Sequence, residues 1–231
     1  MSLWQALAKP FRRRSFALNE LDLKLRHYLD FKGGYFIEAG ANNGLCQSNT
    51  LYFEKYLGWR GLLIEPIPDL AEQCRRNRPR CRVENCALVP IGFADPHITM
   101  SYCNLMSLVK GAMKSEEEDL AHVRKGCEIQ NVEAYELRVP ARTLTAVLEE
   151  APPPRIDLFS LDVEGFELSA LQGLDFEKFR PAWLLVEARF RAEIDAFLAG
   201  QGYAPEAELS VHDVLYHDAR PRPAAPGGFP P

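Results

Sequence analysis

An apolar strand that runs directly into a glycine turn constrains the fold of this chain more than any other feature. The segment Tyr35-Phe-Ile-Glu-Ala-Gly-Ala-Asn-Asn-Gly44 places an acid, Glu38, just before its first glycine. A second apolar run, Gly61-Leu-Leu-Ile64, ends at another acid, Glu65, which Pro66 follows. This order of strand, glycine turn, helix, strand and acid is typical of the nucleoside-binding edge of an open α/β sheet.

The composition of the turn indicates which nucleoside fits. Gly40 lets a ligand approach the backbone closely because it carries no Cβ. Asn42 stands where a dinucleotide site has its second glycine, which disfavours a nicotinamide oxidoreductase. S-adenosylmethionine is therefore the predicted ligand, and an ionised Glu65 can accept two hydrogen bonds from its ribose diol. The alternative is a glycine-capped turn in an α/β protein that binds no nucleoside.

Composition and charge exclude several classes of protein. A chain of 231 residues fits one large domain or a domain with an insertion. Its net charge of −5 gives no electrostatic support for nucleic-acid binding. No apolar run approaches the roughly 20 residues that span a bilayer, so we predict no transmembrane segment. The basic segment 11–16 fits either weak peripheral contact with an anionic membrane or a solvated terminus.

The cysteines indicate the compartment. The chain has six cysteines and no C-x-x-C pair. Disulfide frameworks belong mostly to small secreted proteins, and structural zinc sites use closely spaced cysteines. We therefore predict reduced thiols in a cytoplasmic protein.

Alternation of apolar strands with amphipathic helices predicts the fold class. The predicted elements are a helix at 18–30, strands at 35–39, 61–65, 81–88, 156–161 and 182–187, helices at 47–57, 69–77, 164–171 and 190–200, and a closing hairpin at 203–209 and 211–217. This pattern is typical of an α/β fold with a doubly wound, mostly parallel sheet.

A long connection interrupts the alternation between residues 88 and 156. It contains a predicted strand at 98–102, an acidic run at 116–119 that reads as a solvated helix face, and a strand followed by a helix over 136–150. Connections of this length in compact domains are commonly lids, so we expect residues 95–140 to cover the site and select the acceptor. The predicted organisation is a helical lead-in at 1–34, one domain at 35–218, and a disordered tail rich in proline and glycine at 219–231.

Polar groups follow the predicted parallel strands at the point where each strand ends. They are Glu38 with Gly40, Glu65, Asn85, Asp162 and Glu187. Ligands of open α/β sheets bind outside the carboxyl ends of the strands, so this shared edge is the predicted active site. On the alternative interpretation Asp162 caps the next helix, and Glu167 in the first turn of that helix favours its dipole.

Several motifs resemble those of the FkbM-type S-adenosylmethionine-dependent methyltransferases, over about residues 35–216. The resemblance lies in Ile37-Glu-Ala-Gly-Ala-Asn-Asn-Gly44, Leu63-Ile-Glu-Pro66, Val83-Glu-Asn-Cys-Ala-Leu88, Arg142-Thr-Leu144, Asp157-Leu-Phe-Ser-Leu-Asp-Val-Glu-Gly-Phe-Glu167 and Arg180-Pro-Ala-Trp-Leu-Leu-Val-Glu187. It implies a Rossmann-like class I methyltransferase fold, with a seven-stranded sheet whose last strand runs antiparallel. Known relatives mostly methylate hydroxyls on sugars, glycans or polyketide-like products.

The resemblance also implies which residues bind the cofactor. The turn residues Gly40, Ala41, Asn42 and Gly44 would wrap the methionine part of S-adenosylmethionine, with Glu38 near its amino group or sulfonium. Glu65 would hold the ribose hydroxyls, Pro66 would shape the adenine slot, and Asn85, Cys86 and Ala87 would edge the adenine. Family members often carry Asp where Glu38 stands, so the resemblance leaves the contact of Glu38 open.

Methyl transfer from a sulfonium to a hydroxyl requires the protein to position the acceptor and remove its proton. Asp162 and Glu164 are the predicted catalytic residues, with Asp162 as the base or as the group that orients the acceptor. Glu164 and Glu167 would support it or complete an oxygen-ligand site for Mg²⁺, and metal dependence is left open. His97, His122 and His212 are spare bases that read more simply as ordinary histidines.

The expected acceptor is a small molecule or a carbohydrate, and the oligomeric state is not predicted. Methylation of an amine or a carboxylate is one alternative, because such acceptors need no strong base. A non-catalytic, partner-binding module on the same fold is another, although the complete set of polar groups at the strand ends argues against it.

Overall fold

The computed structural model describes residues 14–220. Residues 11–13 of the basic segment and most of the predicted tail lie outside this range. Two short 3-10 turns occur at Leu18–Glu20 and Asn104–Met106. In chain order the helices and strands are α1 (Leu21–Leu29), β1 (Tyr35–Ala39), α2 (Leu51–Leu57), β2 (Arg60–Ile64), α3 (Pro68–Asn77), β3 (Arg82–Glu84), β4 (Ala87–Leu88), β5 (His97–Tyr102), β6 (Leu108–Val109), α4 (Glu116–Gln130), β7 (Tyr135–Arg142), α5 (Leu144–Glu150), β8 (Leu158–Leu161), α6 (Glu167–Leu171), β9 (Trp183–Glu187), α7 (Arg191–Gly200), β10 (Tyr203–Glu208) and β11 (Asp213–Asp218).

The main sheet has seven strands in the order β10-β11-β9-β8-β1-β2-β3. Its neighbouring strands from β9 to β3 pair in parallel, whereas β11 is antiparallel to both β9 and β10. This arrangement confirms the predicted α/β fold with a doubly wound, mostly parallel sheet. It also confirms that the last strand of the seven runs antiparallel.

Helices cover both faces of the main sheet, which is why its central strands read as continuous apolar runs. All four residues of β8 are buried. On one face, α1, α2 and α3 pack around a core that includes Leu25, Phe53 and Trp59. On the other face, α5, α6 and α7 pack around a core that includes Phe159 and Ile194.

The long connection folds into a second sheet of four strands, in the order β4-β7-β5-β6. The strands predicted at 98–102 and within 136–150 correspond to β5 and β7. The single strand predicted over 81–88 is wrong, because these residues form β3 in the main sheet and β4 in the second sheet. The chain turns between them at Asn85, whose side-chain amide donates to the backbone oxygens of Glu65 and Pro66 at 2.9 and 2.8 Å.

Three predicted helices begin several residues later than expected. The helix predicted from residue 18 begins at Leu21, after the 3-10 turn Leu18–Glu20. The helix predicted from residue 47 begins at Leu51. The helix predicted from residue 164 begins at Glu167, because Glu164 and Gly165 have φ angles of 55° and 96°, which an α-helix does not accommodate.

The acidic run belongs to α4 and splits between solvent and interior. Residues 116–118 are exposed, as expected for a solvated helix face, and the Ser115 side chain caps the helix by accepting from the Glu118 amide. Asp119 is buried and accepts hydrogen bonds from the backbone amides of Gly111 and Met113 at 2.5 and 2.9 Å. None of the helices in the described part of the chain is long and apolar enough to cross a membrane.

Candidate active site

A cavity of about 320 Å³ lies where the carboxyl ends of β1, β2, β8 and β9 meet the inserted segment. This volume is at the lower end of the range for small-molecule sites. The residues predicted from strand ends and motifs that line it are Gly40, Asn42, Glu65, Pro66, Cys86, Ala87, Asp162, Glu164 and Glu187. Five other predicted residues are not among the lining residues, namely Glu38, Ala41, Gly44, Asn85 and the fully buried Glu167.

Gly40 sits at the centre of the rim, where β1 ends. Its φ angle is 84°, and a Cβ at this position would lie 1.8 Å from the backbone oxygen of Asp162. The backbones of β1 and β8 therefore approach each other at a distance that only glycine permits. The same residue faces the cavity, so the position serves both the packing of the sheet and access for a ligand.

Glu65 is a buried carboxylate held in a fixed orientation at the end of β2. Its Oε2 accepts from the backbone amide of Asn42 at 2.8 Å, and its Oε1 accepts from the amide of Ile67 at 2.9 Å. Burial raises the pKa of this carboxyl to about 8, and the two amide donors oppose that shift. Each oxygen keeps further acceptor capacity, so the group can receive hydrogen bonds from a pair of hydroxyls.

Glu38 lies behind the glycine turn, not on the cavity wall. Its carboxylate accepts from the Ser48 hydroxyl at 2.9 Å, the Asn49 amide at 2.8 Å and the Thr50 hydroxyl at 2.5 Å. Arg78 Nη1 lies 3.8 Å from it. These contacts hold the segment that connects the turn to α2.

Arg78 also holds the glycine turn in place, and no sequence motif marks this buried residue. Its guanidinium donates to the backbone oxygen of Gly44 at 3.0 Å and forms a short ion pair with Glu54. The side chain is 1% exposed although it follows a polar run at the end of α3. Gly44 and Arg78 therefore stabilise the turn from outside the cavity.

Three carboxyl groups converge at the opposite end of the cavity. One carboxylate oxygen each from Asp162, Glu167 and Glu187 lies within 4.8 Å of the other two. Burial and the charges of Glu187, Glu164 and Glu167 raise the pKa of Asp162 well above its usual value. Burial and neighbouring acids also raise the pKa of Glu187, and burial raises that of Glu167 to about 7.

Glu167 shapes the turn that presents Asp162 and Glu164. Its Oε1 accepts from the backbone amides of Val163 and Gly165 at 3.1 and 2.9 Å. Its Oε2 is buried and has no hydrogen-bond partner in the described part of the chain. The side chain therefore turns back onto its own loop while one oxygen stays unsatisfied.

Glu164 stands in a strained backbone conformation and makes two contacts with basic side chains. A φ angle of 55° is uncommon for a residue other than glycine and often marks a functional turn. Its Oε2 accepts from Arg189 Nη2 at 2.9 Å and lies 3.3 Å from His122 Nε2. Arg189 also lies 3.3 Å from Glu187, so this cation, which sequence analysis did not select, neutralises part of the acidic end.

The three spare histidines occupy different environments. His122, on α4, is buried beside Glu164 and so reaches the acidic end from the inserted segment. His97 and His212 are exposed and do not line the cavity. Only the first of these histidines is close to the predicted catalytic residues.

The inserted segment covers the cavity and contacts its floor. Its lining residues are Met100, Asn104, Leu105, Met106, Ser107, Val109 and Gln130. The Asn42 side-chain amide donates to Asn104 Oδ1 at 3.3 Å, and the Asn104 amide donates to Gln130 Oε1 at 3.3 Å. These bonds connect the glycine turn to α4 across the cavity.

Residues 38–205 match a sequence model described as the Methyltransferase FkbM domain, a match that spans most of the chain. No curated protein sequence matches the chain.

Solved methyltransferase structures are similar to the chain at low identity. A methyltransferase FkbM from Methylobacillus flagellatus KT shares 14% identity at a TM-score of 0.48, over 83% of this chain and 45% of that one. This chain thus spans less than half the length of that protein. A human methyltransferase 10 domain containing protein shares 12% identity at a TM-score of 0.47, over 87% of this chain and 83% of that one. A methyltransferase from Geobacter sulfurreducens, solved with S-adenosyl-L-homocysteine, shares 10% identity at a TM-score of 0.40, over 86% and 69%.

Proposed function

The chain belongs to the methyltransferase FkbM family, and from this membership we propose that it transfers a methyl group from S-adenosylmethionine to a hydroxyl of a sugar, a glycan or a related secondary metabolite. One observation carries the proposal. A single covered cavity joins a buried carboxylate suited to a ribose, Glu65, to a cluster of carboxylates suited to an acceptor hydroxyl, beginning at Asp162.

The donor would lie along the rim from β3 to β1. Glu65 would accept hydrogen bonds from the two ribose hydroxyls, and Pro66, Cys86 and Ala87 would surround the adenine. The backbone from Gly40 to Asn42 would contact the methionine part. Glu38, Ala41, Gly44 and Asn85 would act through the backbone of the turn and of the β3–β4 connection, since they support the cavity without lining it.

The acceptor would lie at the acidic end, with its hydroxyl directed at the donor methyl group. In the reaction the oxygen attacks the methyl carbon, the carbon–sulfur bond breaks, and the hydroxyl proton leaves for a carboxylate. Asp162 would accept this proton or orient the hydroxyl, with Glu164 beside it. Desolvation and the neighbouring acids Glu187 and Glu164 raise the pKa of Asp162 well above its ordinary value, so this group takes up a proton more readily than a free aspartate does.

The acidic end favours a hydroxyl over an acceptor that is already nucleophilic. An alcohol reacts poorly until a base or a metal assists it. A cluster of carboxylates with raised pKa values supplies proton acceptors that a carboxylate substrate would not need and would be repelled by. We further propose one catalytic domain over 35–218, with 95–140 as the lid that selects the acceptor, and no nucleic-acid partner. All six cysteines are free, in keeping with the proposed cytoplasmic location.

Two measurements test the proposal in order. Isothermal titration with S-adenosylhomocysteine should give saturable binding to the full chain, and absence of binding would reject the cofactor assignment. Nucleotide sugars and oligosaccharides should then be screened with a methyl-labelled donor. We expect the labelled methyl group on a former hydroxyl oxygen, as a methyl ether. Label recovered on an amine or a carboxylate would replace the hydroxyl assignment, and donor binding without transfer to any acceptor class would favour a non-catalytic module.

A further inference from the structure

We propose that Asp162, Glu167 and Glu187 bind a divalent cation that prefers oxygen ligands, such as Mg²⁺ or Mn²⁺, at the acceptor end of the cavity. Binding of the cation is independent of the methyl-transfer reaction. Its role in that reaction rests on the proposed function. The ligand set differs from the sequence-based hypothesis, because an oxygen of Glu187, in place of one from Glu164, joins Asp162 and Glu167 in the cluster.

The geometry brings three ligands together from two parts of the chain, the connection between β8 and α6 and the end of β9. Asp162 follows β8, Glu167 begins α6, and Glu187 ends β9. One oxygen from each lies within 4.8 Å of the others. Ligand distances of about 2.1 Å around octahedral Mg²⁺ place adjacent oxygens roughly 3.0 Å and opposing oxygens roughly 4.2 Å apart, so binding draws the three side chains closer together.

An unsatisfied oxygen of Glu167 supports the site independently of the charge. The Glu167 side chain is fully buried, and Oε1 is fixed by two backbone amides. Oε2 has no hydrogen-bond partner among the described residues. A buried carboxylate oxygen without a partner is costly, because it has lost its hydration and gained nothing in exchange. Coordination of a cation supplies the missing partner.

Charge and ligand type indicate the class of cation. Within residues 14–220 no Lys, Arg or His side chain lies within ion-pair distance of Asp162 or Glu167, whereas Glu187 and Glu164 share Arg189. A donor sulfonium brings one positive charge to this end, and a divalent cation brings two. The three candidate ligands are all carboxylates, and such a set suits Mg²⁺ or Mn²⁺ better than zinc or copper.

The cation would orient the acceptor. Mg²⁺ bound by a few carboxylates keeps several coordination positions for water or substrate oxygens. A hydroxyl in one of these positions becomes more acidic and is fixed beside the donor methyl group. Asp162 would then orient the acceptor through the cation, which is the second of the two roles proposed for it above.

The experiment titrates MnCl₂ into the full chain after treatment with EDTA and dialysis, without cofactor, and follows free Mn²⁺ by electron paramagnetic resonance. We expect saturable binding of one ion, weakened at least tenfold in Glu187→Gln. Glu193→Gln, the same change at an exposed position on the next helix, should bind Mn²⁺ like the wild type. No binding, or equal binding by all three proteins, would overturn the proposal.

Melting temperature provides a second readout that a misfolded variant cannot imitate. Glu187→Gln removes one of several mutually repelling charges, so without metal it should melt at or above the wild-type temperature. MnCl₂ should raise the melting temperature of the wild type, and most of this increase should be lost in Glu187→Gln. A variant that melts lower and keeps the full rise would contradict the site. Titration of S-adenosylhomocysteine in EDTA separates the two proposals, because intact cofactor binding without Mn²⁺ binding rejects the cation alone.

Discussion

The two ends of the cavity use carboxylates in opposite ways. At the cofactor end, one backbone amide donates to each oxygen of Glu65, so the group is held in place before any ligand arrives. At the acceptor end, Glu167 keeps an oxygen that has no hydrogen-bond partner among residues 14–220, and its carboxylate lies close to those of Asp162 and Glu187. The first arrangement is preorganised for a neutral diol. The second is suited to a proton or a cation.

The backbone is regular at the cofactor end and strained at the acceptor end. Glu65 directly follows a regular strand, and its neighbours satisfy it. Glu164 stands at positive φ in the turn after β8, and the acids around it raise one another's pKa. Strain and repulsion persist only where the surrounding structure maintains them, and such sites are commonly functional. The comparison therefore assigns recognition to one end and chemistry to the other.

The largest expected effect comes from Asp162→Asn. The variant keeps the size of the side chain but removes its capacity to take a proton and the negative charge that attracts a cation. Turnover with the acceptor found by the screen should fall by about 10²- to 10⁴-fold, the usual contribution of acid–base catalysis. Affinity for S-adenosylhomocysteine, measured by calorimetry, should be retained.

The matched control is Asp95→Asn, which removes the charge of an exposed ion pair with Arg138 and keeps an oxygen that can accept from the His97 amide. Its turnover should equal that of the wild type. If Asp162→Asn also retained turnover, Asp162 would be a structural residue and the division of roles between the two ends would fail.

The next effect concerns Glu65→Gln at the cofactor end. The amide keeps one acceptor oxygen and replaces the other with an NH₂ donor, which cannot accept from a ribose hydroxyl or from the backbone amide that faces it. A buried donor left without a partner costs about 1–3 kcal/mol. Affinity for S-adenosylhomocysteine should therefore fall by roughly 10- to 100-fold in calorimetric titration. Glu72→Gln, on the exposed side of α3, is the control. Equal affinities of the two variants would reject the ribose contact.

The ligand-free protein should become more stable as the pH falls from about 8 to 5. Folding raises the pKa of Glu65 to about 8 and that of Glu167 to about 7, from 4.5 for a free carboxyl. Between these values the folded state binds more protons than the unfolded state, so stability decreases as the pH rises. We expect the free energy of unfolding to be about 2 kcal/mol higher at pH 5 than at pH 8, which corresponds to a melting temperature roughly 5 °C higher.

Cofactor and Mn²⁺ sharpen this test. Mn²⁺ stabilises the ionised acids at the acceptor end, so its addition should reduce or reverse the pH dependence, whereas S-adenosylhomocysteine should act mainly through Glu65. Scanning calorimetry in matched buffers measures both. A ligand-free melting temperature that falls steadily from pH 8 to 5 would contradict the prediction, because it would mean that the folded protein stabilises Glu65 and Glu167 in their ionised form.

The main sheet and the rim of carboxylates were predictable because short stretches of chain determine them. Continuous apolar runs predict buried parallel strands, and the ends of such strands meet at one edge. Gly40, Glu65 and Asp162 each follow such a run directly, and all three line the same cavity. Their position directly after a strand is therefore enough to predict that these residues line the cavity.

The inserted segment and the residues that support the turn were not predictable in the same way. Strand β4 is only two residues long, and Ala87 pairs with Ala141, which lies far along the chain. Arg78 and Arg189 look like ordinary surface residues until distant parts of the chain bury or pair them. Glu38 follows the pattern of a cavity residue, yet the hydroxyls and amide of residues 48–50 occupy its carboxylate.

The smallest expected effect tests how the inserted segment is joined to the cofactor end. Asn104 has a φ angle of 60°, so Asn104→Gly keeps the backbone conformation while removing the amide that bonds to Asn42 and Gln130. Loss of hydrogen bonds contributing about 1 kcal/mol should weaken S-adenosylhomocysteine binding by roughly fivefold. Asn131→Gly is the matched control, because Asn131 also has positive φ, at 52°, but is exposed at the end of α4. Equal affinities would show that the cofactor end binds its ligand without help from the inserted segment, and that the link through Asn104 serves the acceptor alone.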